Sequence, residues 1–230
     1  MRLVLIGDLH FYKLGVWPWQ LLGKRLFGQL NLLLRRRRAF RMERWPRIVE
    51  RVRELKPGYL LFAGDLVTTA LPGEFAMARE ALRPLLSEFP AVIVPGNHDR
   101  HSFRSARLRM LEQAFPGVVP ARFPHHVELS KRLHLVALDP TRANVISDKG
   151  RLGERQVNEA RTILKGVAAD GCRAVVLCHY TLGTPPGVHR EAGRHRMIDE
   201  AGYQPRPGSN RSPIPPSSCS GGRASPARPR

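Results

Sequence analysis

The chain alternates short, fully apolar runs with longer stretches that are apolar on one face only. Residues 2–7 are a brief β-type run that closes on Gly7-Asp8. Residues 59–63 (Tyr-Leu-Leu-Phe-Ala) form a second run and close on Gly64-Asp65. Residues 91–95 (Ala-Val-Ile-Val-Pro) form a third and close on Gly96-Asn97-His98-Asp99. Apolar runs of this length, bounded by turn residues, predict buried strands. Between them, residues 42–55 place Trp45, Ile48, Val49, Val52 and Leu55 on one helical face, and Pro57-Gly58 ends the pattern. Residues 73–88 repeat it with Phe75, Ala78, Leu82 and Leu85, and residues 102–115 read as a further helix. Residues 126–129 and 132–138 predict a strand pair turning at Ser130-Lys131. A helix over 153–168 then leads to a strand over 173–178 that runs into His179. Strands that alternate with helices predict an α/β fold with a largely parallel sheet. Such sheets bind ligands beyond the carboxyl ends of their strands, where the polar residues of this chain collect.

Composition narrows the class. A chain of 230 residues suits one domain, and 42% apolar residues suffice for a core. No stretch approaches the length of a membrane-spanning helix, and the first apolar run is too short for a signal peptide. Cys172, Cys178 and Cys219 are odd in number and lack ligand spacing, so a disulfide scaffold or zinc knuckle is not expected and a cytoplasmic location is the default. The net charge of +19 is local. Residues 11–47 hold ten Lys/Arg against one acid, and residues 201–230 hold five Arg and no acid. The rest of the chain is nearly balanced, so the basicity belongs to one insert and one tail rather than to the whole domain.

The chemistry sits in four clusters: Gly7-Asp8-Leu9-His10, Gly64-Asp65, Gly96-Asn97-His98-Asp99 and His179. Asp, His and Asn form the ligand set of borderline-hard cations such as Mn, Fe, Co or Zn. Two such ions about 3.5–4 Å apart can clamp a phosphate for in-line attack. That chemistry needs one carboxylate shared by both ions, neutral donors that limit the charge, and a proton donor for the leaving oxygen. Singly, each cluster also reads as a turn or a helix cap.

Together and in this order, the clusters resemble the calcineurin-like metallophosphoesterase superfamily, whose pattern is Asp-x-His, Gly-Asp, Gly-Asn-His-Asp/Glu, a strand-end His and Gly-His-x-His. The first four are present, and the likeness spans residues 1 to about 200. The resemblance implies a two-sheet sandwich flanked by helices (α/β/β/α). It implies that Asp8 and His10 hold one divalent ion, that Asp65 bridges two, and that Asn97 and His179 hold the second. Manganese is the first expectation for both ions, with Fe, Zn, Co or Ni as alternatives. His98 would be the general acid over the phosphate, and Asp99 would orient His98 by a hydrogen bond. A hydroxide bridging the two ions would attack a phosphomonoester, a phosphodiester or a pyrophosphate.

The last motif, Gly-His-x-His, is absent. The nearest string, Gly193-Arg194-His195-Arg196, lacks its first His and lies in a run (190–200) that reads as a helix leading into a further strand. Past residue 200, Pro, Gly, Ser and Arg fill 22 of 30 positions and periodicity vanishes, which predicts disorder. Arg outnumbers Lys 32 to 6, as in a GC-rich genome, where a shifted reading frame yields this composition. Residues 201–230 are therefore expected to be a frame-shifted or otherwise aberrant C-terminus, with a natural disordered tail as the alternative. The chain would then be a C-terminally incomplete domain (1–200) followed by that tail. Each ion would keep three protein ligands and bind more weakly. His189 and His195 read as exposed helix residues. His101, His125, His126 and His134 show no ligand context, and Asp139 reads as a turn residue.

Residues 11–41 leave the first metal motif as a basic amphipathic insert. Over 19–34 a helix would gather Trp19, Leu22, Leu26, Phe27, Leu30, Leu33 and Leu34 on one side, and Arg35-Arg36-Arg37-Arg38 follows at once. A lid packed on its own domain and peripheral contact with an anionic membrane, at the inner surface, both fit this composition. The Arg run alone does not argue for nucleic acid. The substrate expected is a phosphate ester, lipid-linked or nucleotide. The opposing reading is a catalytically impaired family member that binds anions or an anionic membrane surface through the insert.

Overall fold

The computed structural model describes residues 1–13, 42–142, 150–180 and 182. The expectations for the insert helix, for His189 and His195, for the run at 190–200 and for the 201–230 tail fall outside these residues.

Strands β1 (Leu3–Ile6), β2 (Tyr59–Phe62) and β3 (Ala91–Ile93) form one sheet in that order, parallel throughout. Strands β4 (His125–Ser130), β5 (Leu133–Ala137) and β6 (Arg173–Leu177) form a second, in which β4 is antiparallel and β6 parallel to β5. The period-two alternation of the strands sorts their side chains into layers. In β2, Leu60 and Phe62 face a core shared with helices α1 (Trp45–Leu55) and α2 (Pro72–Glu88), while Leu61 faces the other sheet. In β5, Leu135 and Ala137 meet Leu61, Val92, Val94 and Leu177 between the sheets, while Val136 turns outward onto Ala160 of α5 (Glu154–Ala169). The result is the four-layer α/β/β/α order that the resemblance implies, with the apolar runs of β2 and β3 buried on both faces. The first run, expected to be a buried strand, departs from this among the described residues, since Leu5 of β1 is 63% exposed.

Three of the four strand pairings are parallel, as expected, and the exception is the expected β4–β5 hairpin, which turns at Lys131-Arg132, one residue later than the sequence suggests. One further expectation is corrected. The helix over 102–115 is two short helices, α3 (Phe103–Arg107) and α4 (Met110–Ala114), split where Arg109 adopts a left-handed φ of 48°. A residue in that region interrupts the helical ladder whatever the apolar spacing around it.

One buried acid fixes the loop between β2 and α2. Glu74 has no exposed surface and accepts from Thr69 N (2.8 Å), Thr69 Oγ1 (2.9 Å) and Leu71 N (3.1 Å). Burial pushes its carboxyl above the ordinary range, against donors that favour the charged form. Glu74→Ala leaves two buried amides without an acceptor and is expected to cost at least about 2 kcal/mol in urea unfolding at unchanged m-value.

Candidate metal centre

All four clusters lie at the carboxyl ends of parallel strands. Asp8 and His10 follow β1, Asp65 follows β2, Asn97 and His98 follow β3, and His179 follows β6 of the other sheet. The centre therefore sits across the seam between the sheets, and His179 closes that seam through Nδ1, 2.7 Å from the Ala63 carbonyl oxygen at the end of β2.

The loops are held in uncommon backbone conformations. Asp8, His10 and Asp65 have φ of 54°, 49° and 53°, in the left-handed region, which costs on the order of 1–3 kcal/mol per residue. Backbone bonds hold them there: Asp8 N donates to Gly64 O (3.2 Å), His10 N to Asp65 O (2.9 Å) and Phe11 N to Leu66 O (2.8 Å). The β2 and β3 loops also approach closely. A Cβ on Gly64, itself at φ 84°, would run into the backbone of Gly96. A Cβ on Gly96 would run into Asp65 Oδ1 and Asp65 N. Only glycine fits at either position.

Asp65 is 4% exposed and divides its two oxygens. Oδ2 lies 3.7 Å from His10 Nε2, and Oδ1 lies 3.5 Å from His179 Nε2. Oδ1 also accepts from His98 N at 2.9 Å. Asp8 Oδ1 lies 3.7 Å from His10 Nε2, and Asn97 Oδ1 lies 3.1 Å from His179 Nε2. Donor atoms from His10, Asp65 and His98 fall within 4.8 Å of one another, as do donor atoms from Asp8, Asp65 and His179. The structure thus brings together Asp8, His10, Asp65, Asn97, His98 and His179. It sets Asp8 nearer the second group, and His98 nearer the first, than the implied ligand sets do.

The donor chemistry fits a pair of divalent cations. With His179 Nδ1–H given to the Ala63 carbonyl, its Nε2 lone pair faces Asn97 Oδ1 and Asp65 Oδ1, so electron-rich atoms converge. A cation among them removes that repulsion, and N/O donors of this kind suit Mn, Fe, Co or Zn. Cys178 takes no part, since burial pushes its thiol up to about 12.

Asp99 is corrected. Its carboxylate does not hydrogen-bond His98. Oδ1 accepts from Leu66 N (2.9 Å) and Val67 N (3.1 Å), and Oδ2 from Gly96 N (2.9 Å). Asp99 is 1% exposed, and burial, followed by the charge on Asp65, pushes its carboxyl upward. His98 is oriented instead by Thr68, whose carbonyl oxygen lies 2.6 Å from His98 Nδ1 and whose hydroxyl donates to His10 O at 3.1 Å. The sequence reading missed Thr68, because a backbone carbonyl leaves no mark on residue type. Asp139 holds the expected turn by accepting from Thr141 N at 2.8 Å, and lies 3.6 Å from Arg100.

The family model for calcineurin-like phosphoesterases matches residues 1–194, so the chain belongs to that family of metal-dependent phosphate-ester hydrolases. A crystal structure of a dimetal phosphatase from Danio rerio has a similar fold, with a TM-score of 0.52 at 13% identity over 79% of this chain and 70% of the other. No curated protein matches the chain significantly. Among the described residues no helix is long and apolar enough to cross a membrane.

Two outcomes test this geometry. Gly96→Ala is expected to weaken Mn²⁺ uptake by at least about tenfold in equilibrium dialysis, with the far-UV circular dichroism unchanged. Beside the centre, Arg100 grips Glu112 with two bonds of 3.0 and 2.7 Å. Burial pushes the Glu112 carboxyl up, but the Arg100 hydrogen bond and charge outweigh it and hold the group below its ordinary value. A lowered acid stabilises the fold above its unfolded pKa, and that contribution disappears as pH falls through the folded value. The parent should therefore lose its stability advantage over Glu112→Gln as pH drops from about 5 towards 3 in denaturant titrations.

Proposed function

We propose that the chain hydrolyses a phosphodiester or a lipid-linked pyrophosphate, with a phosphomonoester as the broader alternative, at a two-cation centre. The observation that carries this reading is Asp65, with one carboxylate oxygen towards His10 and the other towards His179. Asp8, His10 and Asp65 would hold one cation, and Asp65, Asn97 and His179 the other, with manganese as the working choice. When bound, the pair would supply charge neutralisation on the phosphate and lower the pKa of an attacking water.

The chain's own groups do the rest. His98 keeps its Nδ1 proton on the Thr68 carbonyl, which fixes the ring and leaves Nε2 to protonate the leaving-group oxygen. Asp99 serves the reaction indirectly, by holding the loops that carry Asp65 and Asn97. The basic amphipathic stretch at 11–41 begins one residue after His10, which supports a substrate presented at an anionic membrane face on the cytoplasmic side.

Mn²⁺-dependent hydrolysis of bis(p-nitrophenyl) phosphate tests the reading. Asp65→Asn should abolish turnover and metal uptake together. His98→Ala should keep the metal and slow turnover by about 10²–10⁴-fold. Metal loss in His98→Ala would make His98 a ligand instead. No turnover by a folded, metal-loaded parent would favour the impaired reading, in which the insert binds anionic lipid vesicles without catalysis.

A further inference from the structure

The β4–β5 hairpin carries a second nitrogen-rich group that the sequence gives no reason to expect. Its register sets His126 opposite Val136 and Glu128 opposite His134, so both histidines lie on the same face of the sheet, one diagonal step apart. His126 Nε2 lies 3.0 Å from His134 Nδ1, with ring centroids 5.2 Å apart and planes inclined by 26°. His126 is exposed and His134 half-buried, so the pair is open to solvent.

Two neutral imidazoles at this distance can share one proton, or each can direct a lone pair at a common cation. Metal–nitrogen bonds of about 2.0–2.1 Å at angles between 90° and tetrahedral place cis nitrogens about 2.8–3.4 Å apart. The observed separation falls inside that interval without movement of the backbone. Glu128, directly across from His134 on the same face, adds negative charge nearby. No third His, Cys, Asp or Glu donor joins the pair among the described residues, which leaves the remaining positions to water.

We infer that His126 and His134 form a bidentate site for a late first-row divalent cation, of the Ni²⁺, Cu²⁺ or Zn²⁺ class, that cross-links β4 to β5. Imidazole pairs select these ions over Mg²⁺ and Mn²⁺. The site is separate from the centre at the strand ends. His134 stands at the start of β5, whereas β5 runs parallel to β6 and β6 reaches the centre only at its far end, at His179. Among the described residues β4 is an edge strand, and a cation held only by the folded hairpin stabilises it by mass action.

The test uses the full chain carrying Asp65→Asn, which removes the ligand common to both catalytic cations. Substoichiometric Ni²⁺ is added, and the imidazole ¹H–¹⁵N signals of His126 and His134 are followed by NMR. The expected result is selective paramagnetic broadening of those two rings, with Ni²⁺ affinity at this site falling at least tenfold in His126→Gln and in His134→Gln. The thermal midpoint should rise with Ni²⁺ in the Asp65→Asn chain and stay flat when either Gln replacement is added. Broadening confined to the rings of His10, His98 or His179, or unchanged Ni²⁺ affinity in both Gln variants, would overturn the inference and leave the pair a shared-proton contact.

Discussion

Asp99 uses both oxygens of one buried carboxylate on main-chain amides, those of Leu66, Val67 and Gly96. Two of these belong to the loop after β2 and one to the loop after β3. A single side chain therefore sets the spacing of the two loops that present Asp65 and Asn97. Much else follows from that spacing. It forces glycine at 64 and 96, since any Cβ there meets the opposite loop. It brings Asp65 Oδ1 to the His98 amide, and so couples the carboxylate between His10 and His179 to the backbone of His98.

The centre also depends on the two sheets being packed in one register. Five of its six side chains come from the first sheet, and His179 comes from the second. The Ala63 carbonyl that receives His179 Nδ1 and the apolar contacts of Leu61, Val92, Leu135 and Leu177 between the sheets are parts of one constraint. Core packing here is positional: a shift of one sheet on the other would move His179 away from Asn97 and Asp65 by the same distance.

Much of this was legible in the sequence, and for a definite reason. Apolar runs ending in Gly-Asp or Gly-Asn-His mark strand ends, because few other sequences satisfy a buried strand and a sharp polar turn at once. That pattern places Asp8, Asp65, Asn97 and His98 at strand ends, and His10 follows Asp8 by two residues; His179 is marked only by standing at the end of a strand. What stayed illegible depends on main-chain partners or on distant neighbours. The Thr68 carbonyl that orients His98, the three amides on Asp99 and the amides on Glu74 carry no residue-type signal. The break at Arg109 arises from one dihedral angle within an intact apolar pattern. The closeness of His126 and His134 is a matter of hairpin register, which their eight-residue separation does not reveal.

Phe11 and Trp45 have an implication beyond core packing. Phe11 pairs its backbone with Leu66 and Thr68, and its ring meets the Trp45 indole edge-on at 5.7 Å. Trp45 is itself fastened through Nε1 to the Ala81 carbonyl at 2.8 Å. Residues 11 and 45 thus bring together the two points where the basic stretch leaves and rejoins the described chain. Both ends of that stretch are therefore tied into the same apolar core that underlies the strand ends carrying His10 and Asp65.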